Sequence, residues 1–106
     1  MARVIDMNCP DLVAGLARDE ILLVDVREPH ELVMARIPNT VNIPLSRFDP
    51  ALIPDPEGKT VVFMCAAGVR SVQASEIAQM RGLPYTHHLA GGLKAWMQAG
   101  NGVERG

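Results

Sequence analysis

The sequence has no run of apolar residues approaching the roughly 20 that a membrane-crossing helix needs. Its opening stretch, Met1 to Asp6, lacks the long apolar segment ending in small residues that marks a secretory leader. The expectation is a cytoplasmic protein. It also has little excess of charge: 10 Lys and Arg face 12 Asp and Glu, with a pI near 5.8. The basic residues are scattered singly, so there is no stripe for a nucleic acid to follow. Cysteine is scarce as well. Cys9 and Cys65 stand far apart, form no CxxC motif and share no metal-ligand spacing with His30, His87 or His88. No metal or other cofactor is called for. In a cytosolic chain, a lone cysteine in a special local setting is more often catalytic than structural.

The chain is 106 residues long and 48% hydrophobic, which suits one globular domain over residues 1–106 with a single core. There is no internal repeat or linker. The breaker-rich stretch Asp49 to Gly58 reads as a loop within the domain. Strands are expected at 3–6, 21–24, 40–43, 60–64 and 85–88. Helices are expected at about 10–18, capped by Asn8 or Asp11, and at 28–35, 71–81 and 92–99, with helical turns near 45–53. On the third helix Ala74, Ile77 and Ala78 share a face, with Val72 and Met80 as further apolar positions. Leu93, Trp96 and Met97 do the same on the last. Gly82 stands where a helix-ending residue belongs. Alternating strands and helices predict an α/β fold, a central and largely parallel five-stranded sheet with helices on both faces. Function in such folds gathers beyond the carboxyl ends of the strands.

One strand end stands out. The apolar run Val61 to Met64 leads into Cys65-Ala66-Ala67-Gly68-Val69-Arg70-Ser71, and a helix follows at once. Helix-start amides lack intrahelical partners, and the helix dipole adds positive character there. Gly68 lets the backbone curl so that successive N–H groups converge. Ala66 and Ala67 keep the loop centre open, and Arg70 adds a permanent cation. A thiol so placed ionises easily, and the same N–H groups stabilise a terminal sulfur anion once a persulfide forms. The opposing reading, a small buried core cysteine, leaves the glycine, the arginine and the helix start unexplained.

This loop resembles the active-site loop of the rhodanese family, C-x-x-G-x-R-S. Three further stretches match that family in order. Val24-Asp25-Val26-Arg27-Glu28-Pro29 is similar to its D-V-R-E-P segment. Ile37-Pro38 through Asn42-Ile43-Pro44 is similar to I-P-G-A-x-N-I-P. Leu89-Ala90-Gly91-Gly92-Leu93-Lys94-Ala95-Trp96 is similar to L-x-G-G-x-x-x-W. The resemblance implies a rhodanese-like fold and a sulfurtransferase. Its cysteine takes a sulfane sulfur from a small donor such as thiosulfate or a persulfide. It passes that sulfur to cyanide, a thiol or a sulfur-carrier protein, by ping-pong covalent catalysis.

The runner-up chemistries are weaker. Phosphatases and arsenate reductases with similar loops use H-C-x5-R, whereas Cys65 to Arg70 is C-x4-R, one residue tighter, with Met64 before the cysteine. Binding or regulatory modules of this fold usually lack the cysteine that this chain keeps. The chain departs from the family pattern at Arg36, where histidine is common, and at Asn39, where glycine is common. Asn39 is acceptable at a left-handed turn. Arg36 is a supporting candidate near the mouth of the site, with a surface role favoured. Asp25, at the end of a buried strand, needs hydrogen bonds or an arginine, either Arg27 or Arg70. Arg27 is expected to meet Glu31 as a surface pair. The three histidines are expected to be structural or surface groups. Cys9 is expected in a loop before Pro10, without a cradle.

Overall fold

A computed structural model describes residues 2–106. Five strands, β1 (Ile5–Met7), β2 (Ile21–Asp25), β3 (Val41–Asn42), β4 (Thr60–Met64) and β5 (His87–Leu89), form one sheet in the order β1-β5-β4-β2-β3. Every pairing between them is parallel. Three helices lie between strands, α1 (Cys9–Ala17), α2 (Pro29–Met34) and α3 (Arg70–Met80), and α4 (Gly92–Gln98) follows β5. Two short 3-10 turns, Leu45–Arg47 and Pro50–Leu52, occupy the stretch where helical turns are expected.

The alternation of side chains along the strands divides the core between the two sheet faces. Leu23, Val62 and Met64 pack with Leu12 of α1 and with Leu93 and Trp96 of α4. Val24, Val61, Phe63 and Cys65 point the other way and pack with Ala74 and Ala78 of α3. Because β2 and β4 are covered on both faces, they read as near-continuous apolar runs. The chain passes from β2 outward to β3 and then returns, so that β4 lies on the inner side of β2. The direction of winding changes between these two strands, and Cys65 emerges there, one residue beyond β4.

Local chemistry sets the helix ends. The Asn8 side chain accepts from the Asp11 amide at 2.8 Å, and Pro10 occupies the first turn of α1. At the other end of α3, the Leu83 and Gly82 amides donate to the carbonyls of Ala78 and Gln79, the double closure of a Schellman motif. Asn39 takes the left-handed conformation, with φ 62°.

Several expectations need correction. Cys9 is buried and begins α1 instead of lying in a loop. The first and last strands lie about two residues later than expected. They are edge or near-edge strands whose limits depend on pairing with each other, and not on their own apolar patterning. Met80 and Met97 fall outside the core, 83% and 40% exposed. The buried face of α3 consists of small residues, Ser71, Ala74, Ser75 and Ala78, which let the helix lie close to the sheet. Ser75 is tolerated there because its hydroxyl donates to the Tyr85 carbonyl at 2.7 Å. Among the described residues, no helix is long and apolar enough to cross a membrane.

Candidate active site

Cys65 leaves β4 almost wholly buried, at 1% exposure. Its sulfur lies 3.1 Å from the Gly68 amide nitrogen and 3.4 Å from that of Ser71. The Ser71 hydroxyl is 3.5 Å from the same atom. The two amides donate to the sulfur and the thiol donates to the Ser71 hydroxyl oxygen, and these groups converge because the loop folds back on itself within six residues. Gly68 makes that turn with φ 92°, and a side chain there would press on the Gly91 amide. Burial pushes the Cys65 thiol up and is the largest single effect on it. Hydrogen bonds from the Ser71 hydroxyl and from the Ser71, Gly68 and Ala67 amides together outweigh it, so the thiol ionises below its ordinary value.

The loop is anchored from a second helix. The Leu93 and Lys94 amides, in the first turn of α4, donate to the carbonyls of Cys65 and Ala66 at 2.8 and 3.0 Å. That approach depends on Gly92, where a Cβ would lie 2.4 Å from the Cys65 carbonyl oxygen and 2.7 Å from Ala66 backbone atoms. The Gly91-Gly92 pair is therefore the rear wall of the cysteine loop. Around the rim, Ala67 and Val69 are exposed while Ala66 is half-buried.

Asp25 takes Arg27, one of the two arginines expected for it, and the surface pair expected between Arg27 and Glu31 does not form. Asp25 is fully buried and bound by Arg27, whose Nη2 and Nε reach its carboxylate at 2.8 and 3.1 Å and whose amide adds a third contact at 2.9 Å. Arg27 is 3% exposed and also donates to the Ala35 carbonyl at 2.8 Å. It is thus a buried strut and not half of a surface pair. The local turn after β2 brings residues 25 and 27 together, a proximity that outcompetes a partner on α2. Glu31 instead receives Arg70, through Nη1 at 2.7 Å and Nη2 at 2.9 Å. The Arg70 guanidinium holds the Glu31 carboxyl down at about 2, with burial opposing it and the Glu28 amide assisting. Asn42 ties the same region together by donating to the carbonyls of Asp25 and Arg27, both at 2.9 Å.

Arg36 has its partners elsewhere. Its guanidinium meets Glu104 at 3.7 Å and the carbonyls of Leu32 and Gly106 at 3.3 Å, and its backbone bridges Glu104. This binds the C-terminal residues to α2 and removes Arg36 from the set around Cys65. Cys9 faces the Asn101 side chain at 3.3 Å, away from Cys65 on the opposite core face. His30 is exposed, whereas His88 is buried between Ser71 and Asp6. Sequence reasoning passes over His88 and Asp6, because nothing local signals that β1 and β5 are neighbours.

A wholly parallel sheet, with a cysteine at the winding reversal and its sulfur ringed by loop amides, defines a class of α/β domains built around one thiol. Residues 9–99 match the model of the rhodanese-like domain, and the chain belongs to that family. It is 45% identical over 83 residues to an uncharacterized protein of Synechocystis, covering 78% of this chain and 46% of that one. It is 36% identical over 95 residues to a mitochondrial thiosulfate sulfurtransferase of Saccharomyces cerevisiae, covering 77% of this chain and 64% of that one. The chain therefore spans about half to two thirds of the length of these relatives. A rhodanese-related protein of Thermoplasma volcanium superposes with a TM-score of 0.78 at 32% identity, covering 96% and 97% of the two chains.

Proposed function

We propose that residues 1–106 work as one domain that transfers sulfane sulfur through a persulfide on Cys65. The observation that carries this reading is the convergence of the Gly68 and Ser71 amides and the Ser71 hydroxyl on one buried sulfur. A family of sulfurtransferases, and a yeast relative named for thiosulfate, support a thiosulfate or persulfide donor. In the first half-reaction the Cys65 thiolate attacks the outer sulfur of thiosulfate. A new S–S bond forms, the sulfur–sulfur bond of the donor breaks, and sulfite leaves with the electron pair. In the second, the thiolate of a small thiol or of a sulfur-carrier protein, or the carbon of cyanide, attacks the terminal sulfur; the new bond to that sulfur forms, the S–S bond to Cys65 breaks, and Cys65 leaves as thiolate. The loop donors that hold the thiolate also hold the terminal sulfur's charge when it develops. Ala66, Ala67, Gly68, Val69, Arg70 and Ser71 form the cradle, with Asp25 at the end of β2 and Arg27 in the turn after it as supporting residues. Both cysteines are free, in keeping with a reducing compartment such as the cytoplasm.

The test is intact mass spectrometry after incubation with thiosulfate in the absence of reductant, on wild type, Cys65→Ser and Cys9→Ser. The expected result is a gain of one sulfur atom in wild type and Cys9→Ser, absent in Cys65→Ser, and discharged by cyanide as thiocyanate. Failure of wild type to gain sulfur from thiosulfate and from alkyl persulfides overturns the reading in favour of a binding module.

A further inference from the structure

The buried thiol of Cys65 has a polar path to the surface that the transfer chemistry alone does not use. The Ser71 hydroxyl lies 3.5 Å from the Cys65 sulfur. The same hydroxyl lies 2.8 Å from Nδ1 of His88, and Nε2 of His88 lies 2.6 Å from a carboxylate oxygen of Asp6. His88 is 4% exposed, while the Asp6 side chain is 76% exposed. Four elements supply the chain: the loop after β4, then α3, β5 and β1. The parallel register of β1 and β5 sets Asp6 directly beside His88.

We propose that Ser71, His88 and Asp6 form a proton relay that takes the thiol proton of Cys65 and keeps it on His88, so that the resting nucleophile is a thiolate paired with an imidazolium. This rests on the sulfur-transfer reading, because attack on a donor is what requires the thiolate.

The donor and acceptor roles are fixed from the outer end. An ionised carboxylate only accepts, so Nε2 carries a hydrogen toward Asp6 and Nδ1 of the neutral ring is left bare toward Ser71. The Ser71 O–H then donates to Nδ1, and its oxygen accepts the Cys65 S–H. Transfer reverses the two inner links. The S–H bond breaks and its proton joins the Ser71 oxygen, while the former Ser71 proton joins Nδ1. The Ser71 hydroxyl now donates to the thiolate, and the Nδ1–H donates to Ser71. Net charge is unchanged, and each new charge has a partner. The thiolate has the Ser71 and Gly68 amides, and the imidazolium has Asp6. Burial opposes ionisation of the Cys65 thiol, but hydrogen bonds from the Ser71 hydroxyl and the Ser71, Gly68 and Ala67 amides hold it below its ordinary value, which favours the thiolate end of the relay.

The groups facing His88 are few. β1 presents Asp6, α3 presents Ser71, and β4 presents its register neighbour Phe63, with Cys65 reached through Ser71. Among the described residues, no lysine or arginine shares a hydrogen bond or ion pair with His88. A histidine kept only for packing does not need a hydroxyl that touches the thiol on one side and a carboxylate that reaches water on the other.

The test is the pH profile of Cys65 alkylation by iodoacetamide, read at that site by peptide mass spectrometry, in full-length wild type, Asp6→Asn, Asp6→Glu and His88→Asn. The midpoint is the readout, since it separates ionisation from access to the buried sulfur. In Asp6→Asn and His88→Asn the midpoint should rise by about one pH unit or more, equivalent to about tenfold less thiolate on the acid side. The rates should merge with wild type at alkaline pH, and Asp6→Glu should restore the wild-type midpoint. Superimposable midpoints, or slowing that is uniform at every pH, overturn the relay. Asp6 is exposed, so Asp6→Asn carries the test if His88→Asn does not fold. Thiosulfate loading of the same samples separates the two ideas: a wild type that alkylates with the expected profile but gains no sulfur defeats the transfer reading and leaves the relay standing.

Discussion

Arg70, at the end of the cysteine loop, and Glu31 of α2 form a two-pronged ion pair, Nη1 to Oε2 at 2.7 Å and Nη2 to Oε1 at 2.9 Å. The cation nearest the loop thus already holds an anion. Under the proposed sulfur transfer, an anionic donor drawn to Arg70 would have to share it with this carboxylate or displace it, which would make Glu31 an internal competitor for that position. Both side chains are partly exposed, at 32% and 24%, which keeps the competition modest.

Replacing Glu31 by Gln should therefore release Arg70 for the donor. The expected outcome is a KM for thiosulfate lower by about two- to fivefold, from the ordinary worth of a partly exposed pair. The kcat should stay near wild type. Steady-state thiocyanate formation checks this, and an unchanged or higher KM would show that Arg70 does not meet the donor.

The same pair carries an acid dependence. The Glu31 carboxyl sits at about 2 in the folded protein against an ordinary 4.5. A carboxyl depressed on folding stabilises the native state above its unfolded value and loses that stabilisation as pH falls through its folded value. The pair's contribution is thus complete above about 4.5 and fades toward about 2. Thermal melts over this window should fall less steeply for Glu31→Gln than for wild type. Parallel slopes in the two proteins would refute the assignment.

Gly92→Ala should damage the loop from behind. Its Cβ would meet the Cys65 carbonyl oxygen at 2.4 Å, from a residue at φ 60°, where side chains are strained in any case. A loss of at least about 2 kcal/mol is expected by urea unfolding. Sulfur uptake by Cys65 should fall in whatever fraction stays folded. Wild-type stability would mean that α4 can retreat without cost.

Asp25→Asn should leave the Arg27 guanidinium buried without its counter-charge. Removing one partner from a buried pair costs about 3–5 kcal/mol, far more than the pair contributes when whole. Urea unfolding measures the loss, and a change below about 1 kcal/mol would mean that the neutral amide serves Arg27 nearly as well.

What the sequence reveals here is what lies close along the chain. β4 is observed over the expected residues, Thr60–Met64, because a β-branched and apolar run covered on both faces has one plausible local structure. The loop geometry follows from the same short stretch, since Cys65, Gly68 and Ser71 are within one turn of each other. Expectations fail where burial or contacts distant in sequence decide between partners. Arg27 is close enough in sequence to meet either Asp25 or Glu31, and the buried carboxylate takes it. Arg36, read with a surface role favoured over a place at the site, gives no local hint that Glu104 and Gly106 fold back onto it. His88 looks like an ordinary strand residue until the strand order sets Asp6 on one side and Ser71 on the other. Hydropathy also misjudges α3, where two serines are buried and Met80 is not, because close approach to the sheet favours small residues over apolar ones.

The strand order bears on how the chain matures as it is made. β1 precedes the other four strands, yet among the described residues its strand partner is β5, so it has no strand to pair with until β5 has been made. Cys65 emerges well before Leu93 and Lys94, whose amides fasten its loop. The β2–β3–β4 unit can assemble early, but contacts this distant in sequence form late. The thiol's environment is accordingly completed near the end of folding, when β5 enters between β1 and β4 and α4 closes behind it. A nascent chain holds its cysteine in an unfinished setting until Leu93 and Lys94 have been made and can fasten the loop.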